Sequence, residues 1–147
     1  MTWIRISALA AIFVVVSVVS LSRLETGPGK PVATKYGATS QGQRFAVRID
    51  GGGRPVAFDT SLSAICPDGR MVPMPWSPKD GDAVHFRRDG DRLTVAEWGD
   101  GWRQELDATV AKGGSLRGTM SLVVHVRPKT RAPYDCRSPK VRVSAGA

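Results

Sequence analysis

The two histidines, His85 and His125, have side chains suited to catalysis, because a histidine beside a carboxylate can act as a general base. If the strands pair as predicted below, His85 lies on an outer sheet face in one row with Thr94 and Asp107. No serine or cysteine nucleophile joins that row by local pairing, and two histidines alone do not define a metal site. The sequence therefore predicts no enzymatic activity, no metal and no cofactor, and a small hydrolase is the weakest alternative.

Two arginines, Arg87 and Arg92, fall directly opposite each other in the same predicted register. Like charges in that position repel, and a bound anion would relieve the repulsion. Screening by Asp89, Asp91 or solvent is the competing interpretation. Arg87 and Arg92 are therefore candidate anion contacts.

Positive charge is concentrated near the C-terminus. Residues 43–111 carry nine Lys/Arg and eleven Asp/Glu, whereas residues 112–147 carry eight Lys/Arg and one acid. Such asymmetry favours anionic partners, here lipid head groups or envelope polymers rather than nucleic acid, although a solvated basic loop has the same composition. The densest basic stretch contains Arg127, Lys129, Arg131, Arg137, Lys140 and Arg142.

Three tryptophans are candidate partner contacts. Trp98 is predicted to face Arg103 across a turn, which suits a cation–π contact, and Trp102 lies in that turn. Such side chains can bind sugars or lipids, or they can close the end of a barrel. Trp76 belongs to the proline-rich apolar stretch 71–78, which is either an exposed partner site or a loop folded over the barrel opening.

The first segment of the chain indicates export. Residues 6–21 are sixteen uncharged residues that follow Arg5, the pattern of a secretory signal or signal anchor, although roughly 20 residues are needed to span a bilayer. Small residues at 20–22 would allow cleavage before Arg23, and both fates remain open. We expect residues 1–22 to be this hydrophobic helix, and the protein to be secreted or anchored to the cell membrane.

An even number of cysteines in a small exported domain favours a disulfide between Cys66 and Cys136. Closing a loop of about 70 residues would stabilise the fold by about 4 kcal/mol in the chain-entropy model. Two separate buried thiols are the alternative.

Composition divides the remainder of the chain into two parts. Residues 23–43 are rich in glycine and proline and poor in large apolar side chains, which predicts a flexible linker. Residues 44–147 form the predicted extracytoplasmic domain.

Five Asp-Gly pairs punctuate that domain, and Asp-Gly between alternating apolar residues is a strong hairpin signal. The pairs are Asp50-Gly51, Asp68-Gly69, Asp80-Gly81, Asp89-Gly90 and Asp100-Gly101. No helical periodicity extends over a useful length. The predicted class is therefore all-β.

Two of these turns predict one consistent core face. The expected pairs are Phe86–Leu93 and Val84–Val95 across the first turn, and Val95–Leu106 and Leu93–Ala108 across the second. Residues 116–126 alternate in the same way and extend that face as a fourth strand.

Further strands are expected at 44–49, 56–59, 62–66, 70–74 and 140–143. About eight antiparallel strands in a meander predict a small barrel or sandwich. Pro73 and Pro75 would confine their strand to a sheet edge.

Several short motifs resemble a family of small exported β domains of high-GC bacteria that are closed by a disulfide. They are GATSQG at 37–42, CPDG at 66–69, Gly118-Thr119 and the final CRSPKV at 136–141. The resemblance covers residues 36–147 and implies the fold and the compartment. A tryptophan common after the last cysteine of that family is replaced near Arg142. No activity is established for the family, so the resemblance implies none here.

The favoured function is a non-enzymatic module of the cell envelope that binds a protein, an anionic polymer or the membrane surface. The main alternative is a lipocalin-like carrier, because an eight-stranded barrel can hold one small apolar ligand.

Overall fold

The computed structural model describes residues 29–82 and 84–146, and this part of the chain is all-β. The predicted hydrophobic helix at 1–22 and the start of the linker lie outside these residues. Within them, no helix has the length and apolar character needed to cross a membrane. The ten strands are β1 (Ala33–Thr39), β2 (Arg44–Ile49), β3 (Pro55–Ile65), β4 (Met71–Trp76), β5 (His85–Asp89), β6 (Arg92–Gly99), β7 (Trp102–Val110), β8 (Leu116–Val126), β9 (Tyr134–Arg137) and β10 (Val141–Ala145).

Six of the strands close an antiparallel barrel, which decides between the two predicted architectures. Around the barrel the order is β10, β1, β2, β3, β9 and β8, and β10 also pairs with β8. Strands β7, β6 and β5 extend the sheet from β8. Strand β4 pairs only with β3, so the edge position predicted from Pro73 and Pro75 is confirmed.

The barrel interior is filled by side chains from alternate positions, as the period of two in a strand requires. The predicted inward residues Phe45, Val47 and Ile49 are buried. They belong to one hydrophobic core, which also includes buried side chains of β6 and β7 beside the barrel. The largest fully buried side chains include Phe45, Phe58, Leu62, Leu93, Leu106, Leu116, Met120 and Leu122.

One of the two predicted hairpin registers is confirmed and the other is wrong by two residues. Across β6 and β7, Val95 pairs with Leu106 and Leu93 with Ala108, as expected. Across β5 and β6, Phe86 pairs with Val95 rather than Leu93. Gly90 and Asp91 form the loop, so Asp89 belongs to β5. A shift of two preserves the face on which each side chain lies.

Two strands were not predicted. Strand β1 lies inside the segment 23–43 that was predicted as a linker, and it pairs with β2 and β10. Strand β9 is four residues long and joins β8 to β3. The separate strands expected at 56–59 and 62–66 form the single strand β3.

The predicted disulfide between Cys66 and Cys136 is present, and the two Cα atoms are 4.0 Å apart. It lies beside the only β3–β9 pair, between Ile65 and Arg137. A disulfide is compatible with an extracytoplasmic location.

The molecule has two opposite ends, since β8 runs from one to the other. We call the first the glycine end; it contains the loops 50–54, 90–91 and 111–115. The second, the basic end, contains the turns 66–70 and 99–102 and the segment 127–133. The chain enters at the glycine end, where Val32 N donates to Ile49 O at 2.8 Å.

Candidate functional site: an exposed band around the basic end

Six strands each contribute one outward residue to a continuous row near the basic end. Successive members are paired across neighbouring strands, from β4 through β3, β9, β8 and β7 to β6. We call this row the exposed band; it consists of Met71, Ile65, Arg137, Val123, Arg103 and Trp98. At a strand spacing of about 4.8 Å, six positions extend roughly 24 Å along the surface.

The apolar members of the exposed band are accessible to solvent. Met71 is 64% exposed, Trp98 55% and Ile65 49%. These are three of the five exposed large hydrophobic residues in residues 29–82 and 84–146. Large apolar side chains grouped on a surface are typical of binding sites, whereas scattered ones are ordinary.

The ring of Trp98 is held in place by two neighbours. The His85 ring stacks on it with centroids 4.7 Å apart and an interplanar angle of 19°. The Arg103 guanidinium lies 5.8 Å from its centroid, so the predicted cation–π pair is confirmed. Arg103 also donates to Glu105, which fixes the guanidinium. Trp98 is therefore exposed, and its ring is preorganised in the unbound protein.

The predicted row of His85, Thr94 and Asp107 is wrong. The shift of β5 places His85 opposite Ala96, and Arg87 occupies the position opposite Thr94. Asp107 accepts two bonds from Arg92, at 2.9 and 2.7 Å, and this guanidinium lowers the pKa of the carboxyl. His85 and Asp107 therefore do not form an acid–base pair.

The predicted pairing of Arg87 with Arg92, which motivated an anion contact between them, is also wrong. Arg92 lies opposite Asp89, not opposite Arg87, because of the same two-residue shift. Its side chain is bound by Asp107. The repulsion that would have called for an anion at that position is absent between these two residues.

The segment 127–133 brings further positive charge to the basic end. Arg127, Lys129 and Arg131 are exposed, and none has a carboxylate within 4.0 Å among the residues that the structure describes. Arg131 lies 5.4 Å from the centroid of the Tyr134 ring. The Tyr134 hydroxyl accepts a bond from Arg70 at 2.7 Å. This segment thus supplies three exposed cations, none of which forms a close ion pair with the residues that the structure describes.

His125 is paired with a carboxylate next to the exposed band. His125 Nδ1 donates to Asp135, which also accepts a bond from Arg137 at 2.6 Å. These bonds, from His125 first and then from Arg137, lower the pKa of Asp135. Within residues 29–82 and 84–146, no three His, Cys, Asp or Glu side chains form a metal-binding group.

Two of the three candidate tryptophans are less accessible than Trp98. Trp76 is only 2% exposed, its Nε1 donates to Glu97 at 2.7 Å, and its ring meets Phe58 edge to face. It therefore belongs to the hydrophobic core and is not available to a partner. Trp102 is half-buried and covers Gly99, where an added Cβ would lie 2.3 Å from the indole nitrogen.

Sequence reasoning singled out Trp98, Arg103 and Arg137 but missed the other three members of the exposed band. Ile65 and Met71 belong to predicted strands, but strand β9 was not predicted and it connects them to β8. Only the paired cysteines indicated that the two parts of the chain meet. No protein-family model and no curated protein matches this chain, so the family resemblance stays a prediction.

Proposed function

We propose that the domain is a non-enzymatic, extracytoplasmic module that binds an anionic polymer of the cell envelope. The observation that carries the proposal is the exposed band, in which arginines lie between solvent-exposed apolar side chains. Arginine guanidinium groups bind phosphate, sulfate or carboxylate oxygens, and an exposed indole provides a flat apolar surface for a sugar ring.

The charge of the basic end supports a polymeric ligand. The three cations of the segment 127–133 lie next to β8 and β9, which carry the centre of the band. A row about 24 Å long matches several consecutive units of an extended chain better than one small molecule. Repeated anionic units would contact the band and the segment together.

The position of the band favours a polymer over the membrane that would hold an anchored form of the protein. The chain enters the domain at the glycine end, opposite the band. An N-terminal anchor would therefore direct the band away from its own bilayer. A released form would present the same surface to soluble or wall polymers.

The filled interior weighs against the alternative of a small apolar ligand carrier. Phe45, Phe58 and Met120 are among many large side chains that are fully buried inside the barrel. A carrier would need that volume for its ligand.

Titration of the full-length protein with dextran sulfate tests the proposal, and neutral dextran is the matched ligand. We expect saturable binding of dextran sulfate at physiological salt, with an affinity that falls as salt rises because counterions are released. Equal binding of the two polymers, or no binding of dextran sulfate, would contradict it.

Two triple variants test whether binding depends on the position of the positive charges or only on the net charge of the protein. Replacing Arg127, Lys129 and Arg131 by Gln should weaken binding about tenfold, at roughly 0.5 kcal/mol for each exposed charge. The control replaces Lys30, Arg44 and Arg117, which are exposed and lie outside both the exposed band and the segment 127–133, by Gln. If both triple variants lose the same affinity, net charge rather than the basic end governs binding and the proposed site is wrong.

A further inference from the structure

A cleft of about 330 Å³ lies at the glycine end, remote from the exposed band. The loops 50–54, 90–91 and 111–115 surround it. Apolar lining comes from Pro55, Leu93 and Val110. This volume lies at the lower limit of small-molecule sites, which typically enclose about 300–1,000 Å³.

The shape of the cleft depends on glycines in a left-handed backbone conformation that other residues rarely adopt. Gly53 and Gly113 have φ of 75° and 90°, and Gly114 has φ of 87°. A Cβ at Gly114 would lie 2.7 Å from Gly53 O. The two loops therefore touch through backbone atoms, and their side-chain-free surfaces leave the space above the apolar lining open.

Four cationic side chains line the cleft beside one acidic residue, Asp91. Three of the four are arginines oriented by carboxylates: Arg54 by Asp50, Arg88 by Asp80 and Arg92 by Asp107. A guanidinium has five N–H donors. None of the three arginines uses all five on the described residues, so each retains donors for a ligand.

Lys112 differs from these arginines because no carboxylate lies within 4.0 Å of its ammonium group in the part of the chain that the structure describes. It is exposed on the loop between β7 and β8. The backbone N–H groups of Lys112 and Gly113 likewise have no acceptor among residues 29–82 and 84–146. This loop therefore brings to the cleft lining a lysine and two backbone N–H groups that have no partner among the described residues.

We infer that the cleft binds a phosphate ester that carries an apolar group. A phosphate has several acceptor oxygens that point in different directions, which suits converging guanidinium, ammonium and amide donors. The apolar lining would receive the group attached to the ester. This inference is independent of the proposed polymer binding, because the two surfaces lie at opposite ends of the barrel.

Calorimetric titration of the full-length protein, held in an uncharged maltoside detergent, with hexyl phosphate tests the inference. We expect hexyl phosphate to bind at least tenfold more tightly than hexanol, and about fifteenfold more tightly than butyl phosphate because of its two extra methylene groups. Inorganic phosphate should bind more weakly and compete with it. Equal binding of hexanol and hexyl phosphate would overturn the inference.

Matched lysine variants locate the site. Lys112→Gln should weaken hexyl phosphate binding about tenfold, since it removes a charge-assisted contact. Lys129→Gln removes one exposed lysine at the basic end and should leave this binding unchanged. The reverse pattern, or an equal loss in both variants, would place the ligand elsewhere.

Two further variants change the cleft itself. Asp91→Asn should tighten binding about threefold by removing a negative charge from the lining. Ala111→Phe places a ring at an exposed lining position and should abolish binding while the fold is retained, as followed by circular dichroism. Unchanged affinity in Ala111→Phe would exclude the cleft.

A vesicle experiment distinguishes a lipid head group from a soluble phosphate ester as the ligand. Phosphatidylcholine vesicles with and without phosphatidic acid would be mixed with wild type and Lys112→Gln. Binding to phosphatidic acid that is lost in Lys112→Gln would assign a lipid head group. Hexyl phosphate binding without vesicle binding would assign a soluble ester, and the absence of both would refute the inference.

Discussion

Asp50 organises the glycine end through a single carboxylate that is only 4% exposed. Its Oδ1 accepts bonds from the backbone N–H groups of Gly52 and Arg54, at 2.9 and 3.0 Å. Its Oδ2 accepts a bond from the Arg54 side chain. These donors, the Arg54 backbone first, lower the pKa of Asp50 below its ordinary value, against the opposing effect of burial.

Replacing Asp50 by Asn should therefore destabilise the protein by about 1–3 kcal/mol at pH 7, since buried donors lose a charged acceptor. Because the folded pKa lies below the unfolded pKa, the stabilisation is present above about pH 4. It is lost as the pH falls through the folded pKa. Urea denaturation should thus show a gap between wild type and Asp50→Asn that is wide at pH 7 and narrows towards pH 2.

Asp68 provides the matched control, because it binds the Arg70 backbone and side chain in the same way at an exposed turn. Solvent can replace those bonds, so Asp68→Asn should barely change the denaturation midpoint. Equal losses in the two variants would show that burial of Asp50 is not the cause.

At the scale of strands, turn residues and apolar alternation predicted most of the strands. The strands that were missed depend on pairing between distant parts of the chain. The β6–β7 register followed from one Asp-Gly pair. The β5–β6 register did not, because Asp89-Gly90 can be the two loop residues or can lie one position earlier, with Gly90 and Asp91 as the loop. Both arrangements bury the same face of the sheet, so the apolar pattern does not distinguish them. Strand β1 was missed because its large side chains point outward, and its partner β10 lies about 100 residues away.

The side-chain amides of Gln41 and Gln104 differ in whether they find hydrogen-bond partners on neighbouring strands. Gln41 bonds both the N–H and the carbonyl of Ser63, at 3.0 and 2.9 Å, and so joins the turn after β1 to β3. Gln104, on β7, is 1% exposed, and its Nε2 has no partner among the described residues. A buried unpaired amide costs stability, whereas a paired one contributes to it.

Substitution by Met, which has a similar shape, should therefore have opposite effects at these two positions. Gln104→Met should raise the free energy of unfolding by about 1 kcal/mol, and Gln41→Met should lower it by about the same amount. Denaturant titration of both variants measures the two signs. A loss of stability in Gln104→Met would mean that its amide has a partner in solution.

At the scale of the whole molecule, the disulfide and β9 complete the barrel together. Strand β9 pairs with β3 at one position only, between Arg137 and Ile65, so hydrogen bonds alone hold that contact weakly. The bond from Cys66 to Cys136 secures it. The candidate site depends on this closure, because Arg137 connects the two halves of the exposed band.

Replacing both cysteines by Ser should lower the free energy of unfolding by about 4 kcal/mol, the value expected for a loop of this length. The amides of β9 should exchange with deuterium faster than those of β8, because β8 keeps its long pairing with β7. Binding of dextran sulfate should weaken together with β9 protection. Unchanged exchange in β9 would show that packing alone closes the barrel.

The same disulfide determines how the molecule responds to being cut. Lys129 and Arg131 are exposed and are not followed by proline, so a trypsin-like protease can reach both peptide bonds. They lie between Cys66 and Cys136, and a single cut there leaves two fragments joined through sulfur. A nicked chain would keep its strands paired and its mass almost unchanged, and it would separate into two pieces only after reduction and unfolding.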